Sequence, residues 1–172
     1  DLCDHALLFL GWVHIALDTH YQFSAFHHRV AHNFRHIAVI TNRATNHQAF
    51  GALGDGGFMM TGNEISTAMQ FGIAPVILVI NNNMYGTIRM HQERHYPGRV
   101  SGTNLVNPDF ADLARAYGAH GETVTRTEDF APAFERAKTS DKPAVIELRI
   151  DPEAITPSVT LSGIRDAAKS KA

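Results

Sequence analysis

The run Val76–Ile80, VILVI, is unbroken, apolar and mostly β-branched, and it limits the fold more than any other stretch of this 172-residue chain. Such a run cannot alternate between core and solvent. A strand covered on both faces is therefore expected, as in a parallel sheet with helices above and below. Before it, NEISTAMQF reads as a helix capped by Thr61, with Glu64 closing a capping box, Gly72 as a left-handed stop and Pro75 preventing continuation. After it, Asn107-Pro108 is expected to start the helix DFADLARAY, with proline at its first position and Gly118 as its stop. A short strand over 122–124 follows. Thr127 then caps EDFAPAFERAKT, whose Pro132 is tolerable near the first turn. Pro143–Ile150, PAVIELRI, reads as a second buried strand, and residues 151–172 as a polar tail with helical character. This alternation predicts an α/β fold: a mostly parallel sheet with helices on both faces.

One domain fits this length, and two would be short of core. A formal net charge of −2 gives no support for nucleic acid as a partner through bulk charge. No apolar run is long enough to span a bilayer, so no membrane partner is expected. A lone cysteine, Cys3, cannot form an internal disulfide, and with no secretory signal pattern at the start a cytoplasmic setting is expected.

Near residue 50 the chain changes character. Residues 1–50 have no Glu, Lys or Pro and one glycine, Gly11, yet carry 8 of the 11 histidines. From Gly51 onward there are 7 prolines and 12 glycines. The expected division is an atypical segment over 1–50, a binding domain over 51–152 and a tail over 153–172. In the first segment HALLFLGWVHIAL would form a helix and RHIAVI a short strand. His28, His32 and His36 share a helical face and could hold zinc, or could be ordinary histidines, since no carboxylate or cysteine beside them completes a ligand set. A shifted reading frame or a fusion would also explain this composition.

The chemistry-bearing residues flank the Val76–Ile80 strand. LGDGGFMMTG places Asp55 among glycines, and 27 residues later Asn82 follows the strand. If a short strand ends near Leu53 and pairs in parallel with Val76–Ile80, both side chains reach the edge where open α/β sheets bind ligands. Asp55 offers a carboxylate, Asn82 an amide oxygen and Met84 a main-chain carbonyl, a hard oxygen set suited to Mg²⁺ beside phosphate. Gly56 and Gly57 would let backbone N–H groups approach a phosphate closely, helped by the positive end of the following helix. Gly86 and the Thr87 hydroxyl would close in from the far side. Taken singly, each motif is as well explained by turn chemistry. Neither of the two common glycine-rich phosphate motifs is present.

GDG followed after roughly 25 residues by NN is the signature of thiamine diphosphate enzymes. The stretch from GDGGFMMTGNEIST to NNNMYGTIRMHQ, continued by NPDFADLARAYGAHGETV and KPAVIELRIDPEAITP, resembles the cofactor-binding domain of the acetolactate synthase and pyruvate oxidase branch. The resemblance covers about 51–157. It implies the thiamine diphosphate-binding fold, with Mg²⁺ on Asp55, Asn82 and the Met84 carbonyl. The diphosphate would be lined by Gly54, Gly56, Gly57, Tyr85, Gly86 and Thr87. The same resemblance implies decarboxylation of a small 2-oxo acid and transfer of the acyl carbanion equivalent. It also implies homo-oligomers, and a pyrimidine-binding domain or subunit supplying the activating glutamate. FAD, present in some relatives, would belong to the full enzyme and not to this domain. The residues before Gly51 lack the family's glycine-rich lead-in, and no glutamate-bearing domain fits in this chain. The alternative is therefore a truncated or non-catalytic binding module. No proton-transfer residue is identified, and Arg89–Arg99, with His91, Glu93, Arg94 and His95, reads as a solvated helix and loop more readily than as a substrate contact.

Overall fold

In the computed structural model, residues 40–41 and 49–171 are described. Strand β3 (Val76–Asn81) lies centrally, pairing in parallel with β2 (Ala49–Gly54) on one side and β5 (Ala144–Arg149) on the other. Strand β4 (His120–Val124) pairs in parallel with β5, and β1 (Ile40–Thr41) runs antiparallel to β2 at the opposite edge, giving the order β1-β2-β3-β5-β4. Gly54 sits opposite Ile80, and Ile80 opposite Leu148, so the carboxyl ends of three parallel strands finish level.

The pattern that predicted a doubly covered sheet is satisfied by two cores. One joins Leu53, Val79 and Val145 to Phe58, Ile65, Phe110 and Ala114. The other joins Leu78, Ile146 and Leu148 to Ala133 and Ala137. The first core takes its helical residues from α1 (Asp55–Thr61), α2 (Ile65–Gln70) and α4 (Phe110–Ala116), the second from α5 (Thr127–Thr139). Helix α3 (Gly86–His95) packs with α6 (Leu161–Lys169), so the expected tail is helical and docked.

Local departures have identifiable causes. A helix starts at Asp55, ahead of Thr61, because Gly54 stays extended (φ −70°, ψ 157°) and the turn buries Phe58 edge-on against Phe110 at 5.3 Å. Two adjacent glycines hide this helix from propensity reasoning, and packing overrides them. Thr61 consequently closes α1 and precedes a 3-10 turn over Gly62–Glu64 without a side-chain cap bond, and Glu64 accepts a hydrogen bond from the Thr67 hydroxyl at 2.9 Å where a capping box was expected. Pro108 is not the first residue of α4. Asp109 is the cap, accepting from the Asp112 N–H at 2.8 Å, which frees Asn107 for another task. Thr127 lies inside α5, with extended Arg126 before it, and Pro132 falls in the second turn. Gly72 (φ 62°) and Gly118 (φ 80°) stop their helices in the left-handed region, as expected. The zinc candidates His28, His32 and His36, the thiol Cys3, the first expected helix and most of the RHIAVI strand lie outside the described residues.

Candidate cofactor site at the carboxyl edge of the sheet

Asp55 leaves β2 where Asn81 and Asn82 leave the adjacent β3. The Asp55 side chain is 2% exposed. Its Oδ1 accepts the Gly56 N–H at 2.8 Å, and its Oδ2 accepts the Asn107 amide at 2.8 Å. Among the described residues no ion pair involves Asp55. A carboxylate removed from water and held, among the described residues, only by neutral donors has from them none of the counter-charge that burial ordinarily demands. A divalent cation would supply it.

The three asparagines divide the work. Asn81, also buried, donates to Glu147 Oε1 at 2.6 Å, while its own Oδ1 accepts from the Asn83 N–H at 3.0 Å and from Asn107 at 2.9 Å. Asn82 accepts the Met84 N–H at 3.3 Å and lies against Gly86, where a Cβ would come within 2.9 Å of Asn82 Nδ2. Asn83 turns the chain with a positive φ of 56°. Beyond it Met84 bridges to Asn104, with Tyr85 N–H bonded to the Thr103 carbonyl and Leu105 N–H to the Asn83 carbonyl. The Met84 carbonyl accepts no hydrogen bond from another described residue. The Asp55 carboxylate, the Asn82 amide oxygen and the Met84 carbonyl, carried at the ends of two neighbouring strands, are oxygen donors of the hard kind that Mg²⁺ takes.

Two expected phosphate contacts have a second structural role. A Cβ at Gly56 would lie 2.4 Å from the Tyr85 ring, so this glycine is required by packing, and its N–H is committed to Asp55. A Cβ at Gly86 would also strike Ile155 at 2.8 Å. Gly54, Gly57 and Thr87 are exposed beside these groups, and a Cβ at Gly54 or Gly57 would meet nothing.

Sequence reasoning overlooked Asn107, Asn81 and Glu147. Asn107 was masked by Pro108, which made it look like a helix starter. A charge inside an apolar strand was the available signal for Glu147. It is fully buried and held by Asn81, by the Thr123 hydroxyl at 3.1 Å and by Arg149 Nε at 3.1 Å. A polar cleft of about 230 Å³ adjoins it, lined by Asn81, Asn83, Asn107, Asp109, Glu147 and Arg149.

Arg89–Arg99 is only partly a solvated helix and loop. Arg89 is buried and reaches Thr103 Oγ1 at 2.7 Å and the Asn104 side chain, anchoring the loop that carries Asn107. Glu93 is fully buried, bonded to Arg165 of α6 at 2.7 Å and to the Gly98 N–H at 2.9 Å. The Arg165 hydrogen bond, with support from Gly98, holds the Glu93 carboxyl below its ordinary value. His91, Arg94 and His95 are exposed. No cluster of three or more metal-ligating His, Cys, Asp or Glu side chains occurs among the described residues. No helix among them is long and apolar enough to cross a membrane.

The sequence model of the family described as thiamine pyrophosphate enzyme, C-terminal TPP binding domain, matches residues 19–148. The acetolactate synthase large subunit of Corynebacterium glutamicum is 37% identical over 107 residues, which make up 59% of this chain and 17% of that protein. The acetolactate synthase isozyme 2 large subunit of Escherichia coli (strain K12) is 35% identical over 99 residues, 57% of this chain and 18% of that one. Among solved structures, a thiamine diphosphate-dependent 4-hydroxybenzoylformate decarboxylase from Rhodococcus jostii RHA1 superposes with a TM-score of 0.58 at 33% identity, covering 63% of this chain and 20% of that one. The chain thus spans about a fifth of the length of these relatives. The family match reaches upstream of Gly51, into residues that the sequence motifs alone do not connect to it. Strand β2 likewise begins at Ala49 and crosses the compositional break.

Proposed function

The chain belongs to the thiamine pyrophosphate enzymes, through their C-terminal TPP binding domain, and from that premise we propose that it holds thiamine diphosphate through one Mg²⁺ on Asp55, Asn82 and the Met84 carbonyl. The observation that carries this reading is the buried Asp55 carboxylate, which no cationic side chain among the described residues neutralises. Gly54, Gly57, Gly86 and Thr87 line the diphosphate, and Tyr85 with Gly56 sets the spacing between the two strand ends. When bound, the cofactor supplies the carbanion and the electron sink, while the protein binds and orients it. Asp55 contributes charge, Asn82 a neutral oxygen, and the Asn83 turn aims the Met84 carbonyl.

In the whole enzyme we assign the reaction to decarboxylation of a 2-oxo acid with transfer of the acyl carbanion equivalent. A pyrimidine-binding domain or subunit supplies the activating glutamate, within a homo-oligomer in the cytoplasm. No FAD contact is assigned to this chain. The second reading is a binding module without catalysis of its own.

Calorimetric titration of the chain with thiamine diphosphate, with and without Mg²⁺, tests the first reading. Saturable heat only in the presence of Mg²⁺ is expected, and its absence would overturn the assignment. Adding pyruvate to the loaded chain then tests the module reading, because carbon dioxide released without a partner domain would sink it.

A further inference from the structure

Asn107 lies 52 positions from Asp55 in sequence, yet its amide nitrogen donates to Asp55 Oδ2 at 2.8 Å and to Asn81 Oδ1 at 2.9 Å. Both of its N–H donors are therefore spent. The partners also determine the amide's orientation, because both neighbouring atoms are acceptors. Asn81 is fixed in the same way, its nitrogen facing the Glu147 carboxylate and its oxygen facing the Asn83 N–H. A chain of bonds thus runs from Asp55 at the end of β2, through the loop before α4, to the end of β3 and on to β5.

The chemistry of the donor matters as much as its place. A lysine or arginine at this position would hold Asp55 equally well but would neutralise it, and would compete with any incoming cation. An amide gives direction without charge. With Oδ1 taken by the Gly56 N–H and Oδ2 by Asn107, rotation about the last side-chain bond is blocked, while each oxygen keeps a second lone-pair site. The loop carrying Asn107 is itself anchored, through Arg89 to Thr103 and Asn104.

We propose that Asn107 is a positioning residue that aims the Asp55 carboxylate at the divalent cation without neutralising it. This rests on Asp55 being a cation ligand, as proposed above. Mg²⁺ demands near-ideal octahedral geometry, whereas Ca²⁺ accepts a looser arrangement of oxygens. Freeing the carboxylate should therefore penalise Mg²⁺ more than Ca²⁺, a difference that simple loss of fold would not produce.

The test is thiamine diphosphate binding to the chain, followed by calorimetry across Mg²⁺ and, separately, Ca²⁺ concentrations, for wild type, Asn107→Ala and Asn107→Ser. Melting of the metal-free proteins is recorded alongside. For Asn107→Ala the Mg²⁺ midpoint should rise about tenfold and the Ca²⁺ midpoint less than about threefold. Asn107→Ser, which keeps one short donor, should fall between this variant and wild type, and it provides the measurement if the alanine variant does not fold. An unchanged Mg²⁺ midpoint, or equal shifts for both ions, would overturn the positioning role and leave the cofactor assignment standing. If wild type shows no metal-dependent binding, the cofactor assignment fails and this inference with it.

Discussion

Asp55 is an expensive residue to keep buried, and its cost measures its task. With Gly56 and Asn107 as its only hydrogen-bond donors among the described residues, the carboxylate is satisfied in geometry and uncompensated in charge. Asp55→Ala is therefore expected to abolish Mg²⁺-dependent thiamine diphosphate binding, and calorimetry showing an unchanged affinity would remove Asp55 from the site. Glu147 presents the opposite case, a buried carboxylate fully engaged by Asn81, Thr123 and Arg149. Glu147→Ala would leave the Asn81 amide unpaired, while half-exposed Arg149 regains water, at a cost of about 2 kcal/mol in urea unfolding. Arg149 also pairs with Asp109, the cap of α4, at 3.0 Å. The loss should therefore be felt beyond the strand.

At the scale of elements, two contacts show how closely the helices are packed. A Cβ at Gly121 would lie 2.2 Å from the Ala111 carbonyl oxygen, so β4 and α4 approach as closely as backbone permits. Gly121→Ala should push them apart and lower stability by about 2 kcal/mol, visible as a lower urea midpoint at unchanged slope. The other contact is α6 against α3, joined by Arg165 and buried Glu93. Because the folded Glu93 carboxyl is held below its ordinary value of 4.5, its contribution is complete above that value. It is lost as pH falls further, through the depressed folded value. Protection of the α6 amides, expressed relative to their intrinsic exchange rates, should therefore fall selectively as pH drops below 4.5, and Glu93→Gln should show low protection already at neutral pH. Protection in α6 that ignores both changes would exclude this pair as what holds α6 to α3.

For the whole molecule, a ligand that binds only the folded state raises stability by mass action, by about 2.7 kcal/mol at a hundredfold excess over its dissociation constant. Thiamine diphosphate should thus raise the melting midpoint when Mg²⁺ is present and leave it unchanged when Mg²⁺ is absent. A rise without the metal would place the diphosphate on protein groups alone. What was legible beforehand follows from the kind of signal each feature leaves. Val76–Ile80, Gly72, Gly118 and the GDG–NN spacing are local or paired patterns, and each recurs in the structure as expected. The Asp55 helix was hidden because two glycines argue against it and only the Phe58–Phe110 contact argues for it. The break in composition near residue 50 marks no break in the sheet, because β2 pairs with β1 and β3 alike. Hydrogen bonding between strands is indifferent to the composition of the chain before them. By itself the sequence determined the parallel α/β class and the two neighbouring strand ends at which Asp55 and Asn82 stand, because periodicity and turn chemistry act over a few residues. Only the tertiary structure decided that Asn107, itself bonded to Asn81, holds the Asp55 carboxylate, since hydrogen bonds between residues tens of positions apart exist only once the sheet has brought the loops together.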